Sequence, residues 1–437
     1  MKLQKFFKLA IFAVALMAFS AACVKEGPPG KDGATGAAGK DANETCKMCH
    51  TPAKVDIIAV QFKYSKHEYG LAAEEETGRT ACDVCHTQEG FHDVVDRKVP
   101  STFTLNTATG RYVDNYSCDI SKAYGALLCR TCHSSIHETY NSTDLPKFTT
   151  TAPVDMAMWG GKKTINLTQD GGSSNLCIKC HQPRSFAAAA DGNVLDYASL
   201  ISKPTAIFFD AASPSTATMK PSYRTGTHYG TVGAIVAGMG GIEFQGTLGY
   251  ASAIHATKAS CADCHMATMA GGAGGHSFSA IGNFNGCNIA GCHTGVDKTS
   301  AKYWVNPRAT IKDLLGQLGA KLKYNGIEFM NRNSDATANL WYGITTNNYD
   351  GYFNVYDPAS NPDGVTMNPA QFQNPSPSGS WTAAQKAYNL TLPKMVITNA
   401  QFGAIINFQL CLREYSLGIH NLDYTKALLT NSLAVLN

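Results

Sequence analysis

Five times the chain runs Cys-x-x-Cys-His: Cys46-Lys-Met-Cys49-His50, Cys82-Asp-Val-Cys85-His86, Cys129-Arg-Thr-Cys132-His133, Cys177-Ile-Lys-Cys180-His181 and Cys261-Ala-Asp-Cys264-His265. Two thiols at this spacing can add to the vinyl groups of one porphyrin, and the histidine that follows can ligate its iron from the same face. That is the attachment chemistry of c-type haem. Zinc binding by the Cys-x-x-Cys pairs is the alternative, but zinc has no need of histidine in the next position five times over. A sixth site, Cys287-Asn-Ile-Ala-Gly-Cys292-His293, separates its thiols by four residues. The extra residues can bulge outward while both sulfurs still reach one porphyrin; otherwise Cys287 and Cys292 form a disulfide beside a free histidine and five haems remain.

Six haems use twelve cysteines and six histidines, and seven of the 13 histidines are left over: His67, His92, His137, His228, His255, His276 and His420. Each iron needs a second axial ligand to be closed, so the supply suffices for six bis-histidine haems, which sit at lower potential than Met/His haems. His137 follows His133 by four residues, so one helical turn can present two imidazoles on one face to neighbouring porphyrins. His92 is the residue most readily spared. His420 stands far from every other histidine, at a helix-breaking Gly418-Ile-His-Asn421 step, and its expected task is distal ligation that staples the C-terminal region to the haem domain. Cys118 and Cys411 are left over in the body of the chain; in an oxidising compartment they form a second staple as a disulfide, or else remain two buried thiols.

The elements that must hold these residues are unevenly legible. From Thr45 to about Thr299 the chain is rich in Gly, Ser, Thr and Ala, with few amphipathic runs, so another scaffold must order it. Beyond Ser300, Ala309 to Lys323 has helical apolar spacing, and Pro393 to Tyr415 and Leu422 to Leu436 read as two helices broken at Gly418, with an irregular insert over 331–380. Gly230 to Gly241 lacks the setting of a nucleotide loop and is expected to pack closely against a haem. The expected fold class is mainly α and irregular with little β, its core built around six covalent haems and its C-terminus a helical cap. The expected segments are a signal peptide over 1–22, a tether over 23–44, a hexahaem domain over 45–300 and a helical region over 301–437 that supplies a distal histidine.

The N-terminus bears on compartment. Lys2, Lys5 and Lys8 precede an apolar run from Leu9 to Phe19 that is too short to span a bilayer, and Ser20-Ala21-Ala22 offers a cleavage site. The Cys23 that follows is similar to the acylated cysteine of a bacterial lipoprotein, although Ser20 departs from the aliphatic residue that pattern prefers; ordinary cleavage after Ala22 would leave a soluble exported protein. Gly27 to Asp41 carries glycine at every third position, a collagen-like spacing too short for a triple helix and suited to an extended tether. With 36 basic and 33 acidic residues, net charge +3, the chain has no nucleic-acid signature. Loss of three signal lysines and gain of six haems brings the charge to roughly −6, which favours basic redox partners.

On its Cys/His sites, "SNLCIKCHQPR", "CADCHMA" with "GGHSF" behind it, and the ending "GIHNLDYTKALL", the chain resembles the exported multihaem c-type cytochromes. The hexahaem, filament-forming outer-surface cytochromes of metal-reducing bacteria are the most similar in haem number. The resemblance implies a row of close-packed haems that passes electrons to other redox proteins or extracellular acceptors, anchored at the outer membrane or cell surface through Cys23, or else periplasmic or secreted. It also implies that the chain can form a homopolymer in which a distal histidine comes from the next subunit. An electron carrier is expected rather than an enzyme. The competing class is a multihaem reductase of nitrogen or sulfur oxyanions with one open iron; the Cys-x-x-Cys-Lys that commonly marks such an iron in nitrite reductases does not occur here.

Overall fold

The structure, a computed structural model, describes residues 52–69, 78–108, 111–119, 125–133, 147–184, 195–213, 219–270, 273–332, 349–359 and 370–437. The signal, Cys23, the tether, the first motif Cys46-Cys49-His50 and His137 lie outside them. In chain order the described helices and strands are α1 (Pro52–Lys63), α2 (Lys66–Tyr69), α3 (Thr80–His86), α4 (Gln88–Asp96), β1 (Phe103–Asn106), β2 (Arg111–Asp114) and α5 (Cys129–Cys132). Then follow β3 (Val154–Asp155), β4 (Thr164–Ile165), α6 (Ser173–Cys180), α7 (Tyr197–Ser202), β5 (Ile207–Asp210), α8 (Val232–Ala237), α9 (His255–Lys258) and α10 (Cys261–His265). The remainder is α11 (Asn306–Lys321), β6 (Lys323–Tyr324), β7 (Ile327–Glu328), β8 (Met330–Arg332), β9 (Tyr349–Phe353), α12 (Ala383–Thr391), β10 (Val396–Thr398), α13 (Asn399–Arg413) and α14 (Leu422–Val435). Every sheet among the described residues has two antiparallel strands. No described helix is long and apolar enough to cross a membrane.

Residues Pro52–Asn437 gather into one compact unit. Its principal hydrophobic cluster runs from Val154 to Leu429 and centres on the C-terminal helices, with Phe402, Ile405, Ile406, Phe408 and Leu428 fully enclosed. The region after Ser300 is therefore the middle of the protein core rather than a cap laid over it. Thr398 and Gln401 start α13 with a reciprocal capping box, the Thr398 hydroxyl accepting from Gln401 N and the Gln401 amide oxygen accepting from Thr398 N. Every residue of α13 except Gln401 is buried. A helix buried all round must satisfy any polar side chain internally, and the polar residues of α13 and α14 do this by holding backbone from far away.

The Asn407 amide accepts from Ile242 N at 2.7 Å and donates to Ile242 O at 2.8 Å. The Gln409 amide accepts from Thr227 N at 3.1 Å and donates to Gly351 O at 2.8 Å and Thr225 O at 3.1 Å. Asn431 donates to Leu248 O at 2.9 Å, and Asn421 to Ala251 O at 2.9 Å. This column of amides fixes an otherwise irregular loop over 225–251, which carries His228 and leads into His255. Gly226 (φ +147°) is required there, since a Cβ would collide with the Gln409 amide.

The Gly230 to Gly241 stretch makes the close approaches its composition suggests, and the described partners are protein. Val232–Ala237 is helix α8; Gly233 seats against Ile178 and donates its N–H to His181 O at 2.9 Å, and Gly241 packs on Leu428. Cys118 and Cys411 correct the disulfide expectation. Both are buried and lie in different clusters, Cys118 in a small one with Val84, Val94 and Tyr116, Cys411 inside the principal cluster on α13. Cys411 is a small apolar filler there, while the Cys118 thiol donates to Thr80 O at 3.3 Å.

Candidate functional site

Each described Cys-x-x-Cys-His motif forms a single helical turn: α3, α5, the end of α6, and α10. One turn sets residues three apart on one face, so both thiols point the same way and the histidine follows at the turn's exit. The exit is closed by a backbone bond from the histidine N–H to the first cysteine's carbonyl, 3.0 Å from His133 to Cys129 and 2.9 Å from His181 to Cys177. The longer site keeps this bond: His293 N donates to Cys287 O at 3.2 Å. Its additional residues loop outward, with Gly291 at φ +84° in open space, Ile289 exposed and Cys292 exposed. Two extra residues therefore leave the Cys-His frame closed in the same way.

The motif histidines do not stand alone. His181 faces His67 with ring centres 6.1 Å apart, His86 faces His228 at 6.3 Å, and His133 faces His276 at 6.5 Å. His293 faces His255 at 6.2 Å and His265 faces His420 at 6.2 Å. In every case one partner belongs to a motif and the other does not. Two imidazoles bound to opposite sides of one metal ion, with metal–nitrogen bonds of about 2.0 Å and about 1.15 Å from each nitrogen to its ring centre, would stand about 6.3 Å apart. The five separations bracket that figure.

Second partners fix several rings. His228 Nδ1 bonds Tyr229 O at 2.9 Å, His265 Nδ1 bonds Phe278 O at 3.0 Å, and His420 Nδ1 bonds the Glu414 carboxylate at 2.7 Å. With Nδ1 so occupied, Nε2 is the nitrogen left for a metal. His92 differs: its Nε2 bonds Arg130 O at 2.8 Å, and no facing histidine accompanies it among the described residues. No group of three or more His, Cys, Asp or Glu among the described residues is arranged to enclose a metal ion. What the sites offer is pairs of imidazoles beside pairs of thiols.

Burial favours the neutral form of seven of these imidazoles. His181 is pushed down to about 3, first by desolvation and then by His67, His265, His420 and His86 around it, while its surface stays open to solvent, as for a side chain lining a slot inside the protein. His228 is pushed down to about 4, and His67, His133, His255, His265 and His276 are all lowered, burial being the first cause in each. Each pKa lies below its unfolded value near 6.5, so below that pH the unfolded chain binds more protons than the folded one. Stability is therefore expected to be full above about pH 6.5 and to fall as the pH drops toward 3 to 4. A circular-dichroism titration showing no loss across that window would contradict the neutral imidazoles. Burial also pushes the thiols of Cys132 and Cys264 up to about 11.

The motifs touch one another in a definite order. Cys85 Sγ lies 3.9 Å from Lys179 O and shares a thiol hydrogen bond with Cys180, joining the 82–86 and 177–181 motifs, and Arg184 reaches Cys82 Sγ at 3.5 Å. Cys177 shares a thiol hydrogen bond with Cys261, whose N–H donates to Ser174 Oγ at 3.0 Å, joining 177–181 to 261–265. The Cys287/Cys292 and Cys129/Cys132 thiols influence their neighbours through charge alone, Cys287 and Cys292 on Cys264 and Cys132 on Cys177 and Cys180. The 177–181 motif is the junction.

Glu414 and Arg413 belong to this arrangement and carry no motif that would have singled them out, whereas Gly233 and Phe278 lie in the Gly230 to Gly241 and GGHSF stretches. The one sequence hint is that Glu414 stands six residues before His420. No family model matches the chain, and no curated protein or solved structure matches it, so the five facing imidazole pairs carry the functional reading.

Proposed function

We propose that this chain transfers electrons along a row of six covalently attached, bis-histidine c-type haems, as an exported protein of outer-surface respiratory electron transport. The observation that carries the reading is the facing of five motif histidines with five others at 6.1, 6.2, 6.2, 6.3 and 6.5 Å. Among the described residues these imidazoles and thiols are not gathered into a set that could enclose a metal ion by itself, so the fitting group is one that brings its own equatorial donors and two thiol-reactive edges. Haem c is that group. Bound there, it would supply a one-electron iron couple.

In this reading Cys82/Cys85, Cys129/Cys132, Cys177/Cys180, Cys261/Cys264 and Cys287/Cys292 hold the porphyrins and the five histidine pairs close the irons. Cys46, Cys49 and His50 provide the remaining centre, with His137 or His92 as its distal ligand. The thiol contacts order three of the centres as 82–86, 177–181 and 261–265. Acylated Cys23 and the collagen-like tether would hold the row at the outer membrane or cell surface, and its net acidity would favour basic redox partners.

The test is haem content and the electron paramagnetic resonance spectrum of the oxidised holoprotein, before and after cyanide. Ring planes decide the spectrum: crossed imidazoles leave the iron d-orbitals that bond with them nearly degenerate and give a large maximal g value, whereas aligned ones split them and give a rhombic signal. The planes cross at 67°, 65° and 79° for His67/His181, His86/His228 and His255/His293, at 46° for His133/His276, and at only 17° for His265/His420. The expected result is six haems, all low-spin and unmoved by cyanide, with His265/His420 contributing a rhombic signal against several large-g maxima. A high-spin signal that moves on adding cyanide would overturn the closed carrier and point to a reductase with an open iron.

A further inference from the structure

One distal histidine differs from its counterparts in what holds it. The partners of His228 and His265 Nδ1 are backbone carbonyls, whereas His420 Nδ1 bonds the carboxylate of Glu414 at 2.7 Å. Glu414 is 1% exposed and caps the C-terminus of α13. That is the unfavourable end for an acid, since the helix dipole is negative there, so neither burial nor the dipole accounts for its presence.

The loop after it is wound around this carboxylate. Ser416 Oγ donates to Glu414 Oε2 at 2.7 Å, Gly418 N donates to Oε1 at 3.1 Å, and His420 N donates back to Ser416 Oγ at 3.1 Å. To make the wrap, Tyr415 (φ +66°) and Leu417 (φ +56°) take left-handed conformations that side chains disfavour, and Gly418 (φ +89°) passes where a Cβ would meet Ile311 at 2.8 Å. Backbone in this form is kept where surrounding structure fixes it, and what is fixed here is one ring against one carboxylate.

We propose that Glu414 is a positioning residue that gives His420 imidazolate character and makes the His265/His420 centre the lowest-potential member of the row. The inference rests on the haem reading above. An imidazole that shares its Nδ1 proton with a carboxylate is a stronger donor through Nε2, and a stronger donor favours the oxidised metal. The buried negative charge acts in the same direction. Glu414 touches neither the porphyrin site nor the metal position; it acts through His420. The near-parallel planes of this pair supply a spectroscopic label, because its rhombic signal is expected to differ from those of the crossed pairs.

The experiment is a redox titration of the full-length holoprotein followed by electron paramagnetic resonance, on the unchanged chain, Glu414→Gln and Ser416→Ala, with haem content measured on each sample. In the unchanged protein the rhombic signal should be the last to disappear on reduction. In Glu414→Gln, which keeps an acceptor but loses the charge, that signal alone should move up by at least about tenfold in equilibrium constant, or 59 mV for one electron. Ser416→Ala, which frees carboxylate density for His420, should not raise it. A rhombic signal that is not last in the unchanged protein overturns the proposal even if Glu414→Gln fails to fold, and so does a signal that stays put in Glu414→Gln. A preparation without low-spin haem would instead sink the haem reading itself.

Discussion

Replacing Cys177 and Cys180 together by serine is expected to give a holoprotein with one haem fewer and to slow electron passage along the row about a hundredfold, the equivalent of about 2.7 kcal/mol of barrier. The reason is position. Cys180 meets Cys85 and Cys177 meets Cys261, so this motif joins its neighbours on both sides. His181 in turn takes the N–H of Gly233 and faces His67. Losing the centre there splits the row, whereas the same pair of substitutions at Cys287 and Cys292 would remove a haem from a site that shares no thiol hydrogen bond with another motif among the described residues. Mass spectrometry would count haems, and stopped-flow oxidation of the reduced proteins by a basic acceptor would compare rates. Equal slowing by the two pairs of substitutions would mean that the thiol contacts do not mark the path.

The second large effect is expected at Arg413. Its side chain is buried at 3% exposure, with the guanidinium 4.5 Å from the ring centre of Tyr229 and 5.2 Å from that of Tyr352. It donates to Gly351 O at 2.8 Å and to Thr227 O, and its own carbonyl accepts from Gly230 N at 3.0 Å. These bonds bracket His228. Arg413→Met takes its donor from the Thr227 carbonyl, leaves Gly351 O with the Gln409 amide alone and removes two cation–π contacts, for an expected loss of about 2–4 kcal/mol in denaturant unfolding. Lysine should not rescue it, because one ammonium cannot reproduce the planar fork between two rings. If the substitution folds, the large-g signal of His86/His228 should weaken and a high-spin signal should appear; an unchanged spectrum would separate Arg413 from the placement of His228.

How much of this was legible in the sequence depends on distance along the chain. Cys-x-x-Cys-His is a local pattern, and each described motif lies in the single turn that its spacing suggests. The helical periodicities over 309–323 and 422–436 fall on α11 and α14, and the break at Gly418 coincides with a left-handed backbone. What spacing alone could not give is which histidine faces which, because every pair is set by loops and helices remote in sequence. The role of the last helices was also hidden. Asn407, Gln409, Asn421 and Asn431 interrupt otherwise apolar runs and read as weak points of amphipathic helices, yet they are the groups that hold the 225–251 backbone. Cys118 and Cys411 are the opposite case: leftover cysteines allowed either a bond or two buried thiols, and the fold buries them in separate clusters.

The amide column also has a consequence for the order in which the molecule can be made. Asn421 and Ala251 are 170 residues apart, and Gln409 and Thr227 are 182 apart. Contacts of such separation are the slowest to form, since the chain entropy of closing the loop is lost before any contact rewards it. A nascent chain presents its thiol turns one by one, while the asparagines and glutamines that fix the distal loop emerge last. In the proposed haem reading, covalent loading would run ahead of folding, and axial closure at His228 and His420 would wait for the final helices to arrive.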